Sequence, residues 1–410
     1  MAEAALPHLR QLEARGHWGI KCGLENPRRL LAALADPQRA NPVVLIAGTN
    51  GKGSTGAFLA QALRACGLRI GWTTSPHLLA PTERIWVDGA PLTAEQLDGF
   101  LGQAFAAETR LGLQSTYFEL IIAAAFLAFR AARVDLALVE VGMGGRWDAT
   151  NVSDPILTVL TNVQLDHMQY LGPDRTAIAR EKLCTARHGR PLVLGPSLDP
   201  RWVWPLLECR PVLHPTTSLR AESLAWDHSV VAGHRIQLAG AHQLDNLATA
   251  WGALRGLARL GFNLPEAQAW AGIERTVWPG RLWAVPDLNN VYMDGAHNLD
   301  GTRTLAAHAR ATGVRPHLWF AAMGDKDLTG MAGQLRSMQP ASVTLVQGRA
   351  ARYASPEALR AVWGKDLEVL DLTEAARRLR QPAAGPRLVA GSLYFIGDLL
   401  RELEITPRFG

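Results

Sequence analysis

The chain has 410 residues, longer than one hydrophobic core keeps absorbing, so two domains are expected. With 48% hydrophobic and 19% charged residues it reads as an ordinary globular protein, which argues against a fibrous or disordered chain. The net charge of +5, from 42 basic and 37 acidic residues, is spread without long runs and suits small anionic substrates as well as nucleic acid.

Apolar runs of strand length alternate with helical patterns almost from end to end. The opening residues hold no apolar segment of signal-peptide type, so a cytoplasmic protein is expected. Residues 43–47 read as a strand, 54–66 as a helix and 69–73 as a second strand. Thr93 and Gln96 form the signature of a capping box opening a helix. A long apolar helix over about 118–132 leads into the buried strand "DLALVEVG"; its run Leu120–Phe129 is too short to span a bilayer. "ILTVLTNV" is another strand, followed by a helix near 176–187 and the strand "PLVLG". Residues 211–238 look short, β-prone and turn-rich, as a small antiparallel appendage would. A helix follows over 242–260. Pro279, Gly280 and Pro286 mark a boundary, with domains over 1–282 and 283–410. Beyond it a second alternating series forms a smaller, Rossmann-like α/β domain. Strands separated by helices imply mostly parallel sheets. Cys22, Cys66, Cys184 and Cys209 show no C-x-x-C pair or metal spacing, as for free thiols in a reducing compartment.

Three segments carry chemistry. In "VVLIAGTNGKGSTGAF" a glycine-rich loop follows a strand and opens a helix, but Gly53 separates Lys52 from Ser54, unlike the common phosphate loop. Backbone N–H groups at Gly48, Gly51 and Gly53 could cradle phosphate, with Lys52 neutralising its charge and Ser54 holding magnesium. In "DLALVEVGMGGRWDATN" a buried strand delivers Glu140 to its carboxyl end, where ligands collect in open α/β sheets. A carboxylate there is the expected Mg²⁺ partner of the loop, although a loop ion pair would also explain it. Arg146 and Asp148 follow within reach of a substrate. His167 also follows a strand, and Lys182 lies on the next helix; on its own such a histidine is more often structural than a ligand, and a lysine, a poor metal ligand as an ammonium ion, reads as part of a solvated helix face.

Taken in order, "GTNGKGST", "TTSPHLLAPTERI", "TYFE", "EVGMGGRWDATN", "LDH", "EK", "HQLDNLATA", "PGR", "DGAHN" and "DKD" resemble the folylpolyglutamate synthase/dihydrofolate synthase family, relatives of the Mur ligases. The match spans nearly the whole chain. It accounts for the extra glycine as that superfamily's ATP-binding variant. It implies a Mur-ligase-like phosphate-loop domain with a mostly parallel sheet, and ATP-dependent amide formation with glutamate as the amine. The resemblance assigns the triphosphate to Asn50, Gly51, Lys52, Gly53 and Ser54, and further ATP contacts to Asn246, Arg281, Asp294 and His297. It assigns one magnesium to Ser54, Ser75 and Glu140. A second falls to Glu140, His167 and a carbamylated Lys182; K⁺ or another monovalent cation is also allowed. Lys52, Glu140, His167 and Lys182 are then the catalytic set. The pterin substrate falls to Cys22, Gly23, Leu24 and Glu25, to Thr116, Tyr117, Phe118 and Glu119, and to Trp147, Asp148 and Ala149. Ser392, after Gly391 in "VAGSLYF", is a candidate for the glutamate carboxylate, though an ordinary turn explains it equally.

Two departures stand out. Leu183, Cys184 and Thr185 follow the Glu-Lys pair where the family often has Ala-Gly-Ile, and Trp147 replaces a usual Leu. The expected substrates are dihydropteroate, folates, L-glutamate and ATP, with no nucleic acid or membrane partner and a monomeric chain. A folylpolyglutamate synthase alone, or another Mur-type ligase, is a rival. Mur ligases carry a UDP-sugar-binding domain before the loop, and 47 residues precede Gly48 here. A nucleotide-switch ATPase is the rival outside ligases.

Overall fold

A strand buried along its whole length needs cover on both faces, and Val43–Ala47 is buried at every position. The computed structural model, which describes residues 6–16 and 23–409, places it inside an eight-stranded sheet. Its strands are β1 (Val43–Ala47), β2 (Ile70–Thr73), β3 (Ile85–Val87), β4 (Ala90–Pro91), β5 (Leu136–Glu140), β6 (Leu157–Leu160), β7 (Pro191–Leu194) and β8 (Val212–Pro215). The order is β4-β3-β2-β5-β1-β6-β7-β8, parallel from β2 to β8 and antiparallel at the β3–β4 edge. Strand order reverses at β1, which sits between β5 and β6. That is where an open α/β sheet leaves a crevice at its carboxyl ends.

Helices Ala94–Leu111 and Tyr117–Ala132 cover one face, packing Leu97, Leu101, Leu120 and Phe129 on Val43, Leu45, Ala137 and Val139. Farther along the same face Ile178 and Leu183 join Ala47, Leu160, Leu192 and Leu194, while the helix Lys52–Ala65, whose Gly56 closes on Trp72, covers the other. The Thr93–Gln96 capping box forms as the spacing predicts. The helix expected to reach residue 187 ends at Leu183. Beyond it the N–H groups of Thr185 and Ala186 bond three residues back, to Lys182 and Leu183, and the Thr185 hydroxyl also takes the Lys182 carbonyl, so the four-residue ladder gives way to tighter turns.

The second compact unit comprises Leu219–Leu244 and Glu274–Gly410, the first Met1–Ser218 and Asp245–Ile273. The sequence-based division places 219–244 in the first domain, whereas these residues pack with the second. Here β9 (Ser223–Leu224), β10 (Ser229–Val231) and β11 (His234–Ile236) form the expected small antiparallel sheet. Residues 212–215, expected in that appendage, instead extend the large sheet beside β7. The main sheet of this unit holds β12 (Trp283–Ala284), β13 (Val291–Asp294), β14 (His317–Phe320), β15 (Ser342–Gln347), β16 (Val369–Asp371) and β17 (Arg387–Ala390). Its order is β12-β13-β17-β14-β15-β16, parallel except at β12. Leu305, Leu318, Phe320, Met331, Leu345 and Leu388 form its core. No helix among the described residues is long and apolar enough to cross a membrane.

Candidate active site

Four strand ends meet at the reversal point, and each delivers a polar group. After β1 the loop runs from Gly48 to the helix Lys52–Ala65, whose N-cap is Gly51 at φ +82°. Both glycines are dictated by neighbours. A Cβ at Gly48 would lie 1.9 Å from Thr161 Oγ1, and one at Gly51 would lie 2.1 Å from Asn246 Oδ1. The structure thus brings Asn246, 195 positions away in the chain, against the phosphate loop. No side chain caps this helix, so its first N–H groups and its dipole face the crevice, the arrangement that favours an anion.

The Lys52 ammonium folds back, donating to the carbonyls of Gly48 (3.2 Å) and Thr49 (3.1 Å). Lys182, buried at 4% exposure, donates to the same Gly48 carbonyl at 2.9 Å. Burial first, and then the nearby Lys52 charge, push the Lys182 amine down to about 7, with Asp166 and Asp148 opposing. A lysine expected from sequence alone on a solvated face is therefore a buried amine beside the loop, held near neutrality.

Glu140, at the end of β5 and 3% exposed, accepts a hydrogen bond from Thr74 Oγ1 at 2.6 Å. Ser75 follows Thr74 and is half-buried. The Ser54 hydroxyl is 1% exposed and has no hydrogen-bond partner in the protein. His167 opens a short helix at φ +51°; its ring, about half exposed, lies 4.0 Å from Asp166. Among the described residues no three His, Cys, Asp or Glu side chains converge as a metal group. The expected ligand set holds only two such residues, with serine hydroxyls and a lysine completing it. A buried hydroxyl without a protein partner, a buried carboxylate and an oxygen-rich edge suit a hard cation such as Mg²⁺.

The candidate pterin segments also adjoin one another. Cys22 lies outside the described residues. Gly23 has φ +124°, Leu24 is buried, and exposed Glu25 opens the helix Glu25–Ala33. Asn26 on that helix donates to the Gln114 carbonyl at 3.1 Å, tying it to the start of the Tyr117–Ala132 helix. There Thr116 and Glu119 form a capping box, so both have a local structural role. The Arg84 guanidinium lies 5.1 Å from the Tyr117 ring centre. Phe118 lies against Gly142, where a Cβ would come 2.7 Å from its ring. Asp148 is buried, accepts from Met143 N, Thr150 N and Thr150 Oγ1, and is pushed up by burial. Ala149 is buried, whereas Trp147 is 51% exposed.

In the second unit, Asp294 ends β13 and pairs in register with Ala390 at the end of β17. Burial raises its carboxyl, Arg281 opposes that, and it accepts 2.8 Å bonds from Leu282 N and Ala296 N. Arg281 and Leu393 both close on Gly295, and His297 Nδ1 pairs with the Gly295 carbonyl at 2.8 Å. Ser392 is buried and caps the helix Leu393–Glu402 through Tyr394 N. Sequence reasoning missed His242, which burial above all, with His308 and Arg281, holds down to about 3. It also missed Thr74, Thr161, Asn162, Gln164 and Asp166. All five lie just beyond β2 or β6, the same strand-end position that drew attention to Glu140 and His167.

Residues 46–185 match the family described as Mur ligase middle domain. Over 96% of its length the chain is 31% identical to the dihydrofolate synthase/folylpolyglutamate synthase of Bacillus subtilis, covering 97% of that protein. The chain belongs to the dihydrofolate synthase/folylpolyglutamate synthase family. Solved relatives share the fold throughout. Escherichia coli FolC in complex with DHPP and ADP superposes with a TM-score of 0.83 at 29% identity, over 97% of this chain and 96% of that one. A bifunctional folylpolyglutamate synthase/dihydrofolate synthase with Mn, AMPPNP and L-glutamate bound gives 0.81 at 28% identity, over 97% and 98%. Membership makes this chain an ATP-dependent ligase; of these two solved relatives, one holds ADP and the other AMPPNP with Mn.

Proposed function

We propose that the chain joins L-glutamate to dihydropteroate, to the γ-glutamyl tail of folates, or to both, through an acyl phosphate. One observation carries this reading: the extra-glycine loop, two amines on one carbonyl, a buried carboxylate and a hydroxyl without a protein partner meet at one sheet edge. A carboxylate is a poor acyl donor, so phosphoryl transfer to it must precede amide formation. Lys52 and the N–H groups of Gly51, Gly53 and Ser54 would hold the triphosphate, with Asn50 and Asn246 beside them and Arg281, Asp294 and His297 serving the rest of the nucleotide. Ser54, Ser75, Glu140, His167 and Lys182 would hold magnesium, which supplies charge neutralisation when bound. An amine held near 7 can add CO₂ with release of a proton, giving Lys182 the anionic oxygen that such a cation prefers. The segments at Gly23–Glu25, Thr116–Glu119 and Trp147–Ala149 would take the pterin, and Ser392 the glutamate. In this reading residues 1–282 serve ATP and pterin, 283–410 serve glutamate and add Asp294 and His297 for the nucleotide, and the chain works as a cytoplasmic monomer.

The test offers ATP and glutamate with either dihydropteroate or tetrahydrofolate and reads products by mass. A gain of one glutamyl unit on dihydropteroate, on tetrahydrofolate, or on both is the expected result, and which acceptors gain it separates the two synthase activities. ATP hydrolysis indifferent to pterin and glutamate would overturn the ligase reading in favour of a nucleotide switch.

A further inference from the structure

The segment Thr161–Gln164, just after β6, grips the phosphate loop from beneath. Asn162 brackets the peptide of Asn50 from both sides: its Oδ1 accepts from Asn50 N at 2.9 Å, and its Nδ2 donates to Asn50 O at 3.0 Å. Thr161 Oγ1 donates to that same carbonyl at 2.6 Å. Gln164 Oε1 accepts from Asn50 Nδ2 at 2.5 Å. Thr49 completes the seam. Its N–H donates to Asn162 O at 3.1 Å, and its hydroxyl bonds both the N–H and the carbonyl of Gln164. The seam joins residues more than 110 positions apart, and Asn162 and Gln164 are both half-buried.

This pattern spends the peptide N–H, the carbonyl and one side-chain N–H of Asn50 on the protein. Its peptide N–H and side-chain N–H face Asn162 and Gln164, so they are committed elsewhere than to a phosphate. What remains for an anion is the unbonded start of the helix at Lys52, and its direction is set by where Asn50 is pinned. A glycine-rich loop is the backbone with most freedom to lose on ordering. A loop ordered in advance spares the ligand that loss.

We propose that Asn162 and Gln164 are positioning residues for ATP, holding the loop in its phosphate-receiving shape before the nucleotide arrives. The proposal rests on the ATP-ligase reading above. It makes Asn50 an anchor of the loop rather than a phosphate ligand.

The test uses the full chain with Gln164→Met and, separately, Asn162→Leu, each of similar size to the original and without its bonds to Asn50. MgADP affinity is measured by calorimetric titration, alongside KM for ATP, KM for glutamate and the thermal midpoint. The expected result is MgADP binding weakened about tenfold and KM for ATP raised in proportion, while KM for glutamate and the midpoint hold. Wild-type protein that fails to bind MgADP would overturn the ATP reading and the clamp with it. Wild-type binding matched by both variants would overturn the clamp alone. So would a lowered midpoint with both KM values shifted together, since that marks a merely structural seam.

Discussion

The two units build the same kind of edge and use it differently. In each, parallel strands end at loops that open helices, with a buried acidic residue at a strand's last position: Glu140 on β5 and Asp294 on β13. At the first edge groups keep bonding capacity in hand, as the buried Ser54 hydroxyl and the uncapped helix start show. At the second edge the acid and the hydroxyl are met internally, although His242 Nδ1 and His308 Nδ1 are buried there without a partner. Asp294 accepts two backbone N–H groups, and the Ser392 hydroxyl caps a helix. Buried polar groups are normally satisfied, so one left without a partner signals a ligand more strongly than a strand-end position does.

The comparison breaks first at Glu140. Glu140→Gln keeps shape and the Thr74 neighbour but removes the charge, and should lower kcat by at least ~10²-fold with an unchanged thermal midpoint. Near wild-type turnover in saturating magnesium would show that this carboxylate is as locally committed as Asp294. Lys182→Ala comes next. Loss of a ligand should exceed the ~10- to 100-fold that removing a ligand's supporting partner causes. Short carboxylic acids should restore part of the activity by filling the gap. Lys182→Arg should resist that rescue, because its guanidinium stays charged and occupies the space. A Lys182→Ala enzyme indifferent to added acids would remove the carbamate from the scheme.

The second edge is sharpened by pH. His242 is neutral when folded, held down to about 3, whereas the unfolded chain takes up a proton near the usual 6.5. Its contribution is therefore present above 6.5 and is lost as pH falls toward 3. The wild-type thermal midpoint should drop more steeply between pH 7 and 4 than that of His242→Gln. Parallel profiles would mean that the imidazole is not buried in solution. Smallest is Ser392→Ala, which should cost the helix cap about 1 kcal/mol. If Ser392 also meets glutamate, KM for glutamate should rise as well; a changed midpoint with an unchanged KM would confine it to capping.

How much of this was readable in the sequence follows from chain distance. The loop, Lys52 and Ser54 are neighbours in the chain, and a strand before them with a helix after them sets their geometry. Glu140 was readable because an apolar run must end at a sheet edge. The capping boxes at Thr93 and Thr116 are four-residue patterns, legible for the same reason, although the second was read as a substrate motif. The Thr74–Glu140 bond and the Asn162–Asn50 seam depend on which strands become neighbours, and no local pattern carries that. Residues 212–215 were misplaced on the same ground, since only the exposed edge of β7 makes them a strand of the large sheet. The helix before Cys184 ends early because Thr185 and Ala186 bond three residues back and the Thr185 hydroxyl takes the Lys182 carbonyl, a choice that helical periodicity does not register.

The fold-back of Lys52 has a consequence for how the loop greets an anion. Its ammonium rests on two carbonyls of its own loop and keeps one of its three N–H groups, so a phosphate that takes more than one bond from it must displace a carbonyl. Arrival becomes an exchange of partners, with each surrendered bond worth about 1 kcal/mol. The loop thus carries an internal competitor, and a triphosphate, with several charged oxygens, is better placed than a singly charged anion to replace it.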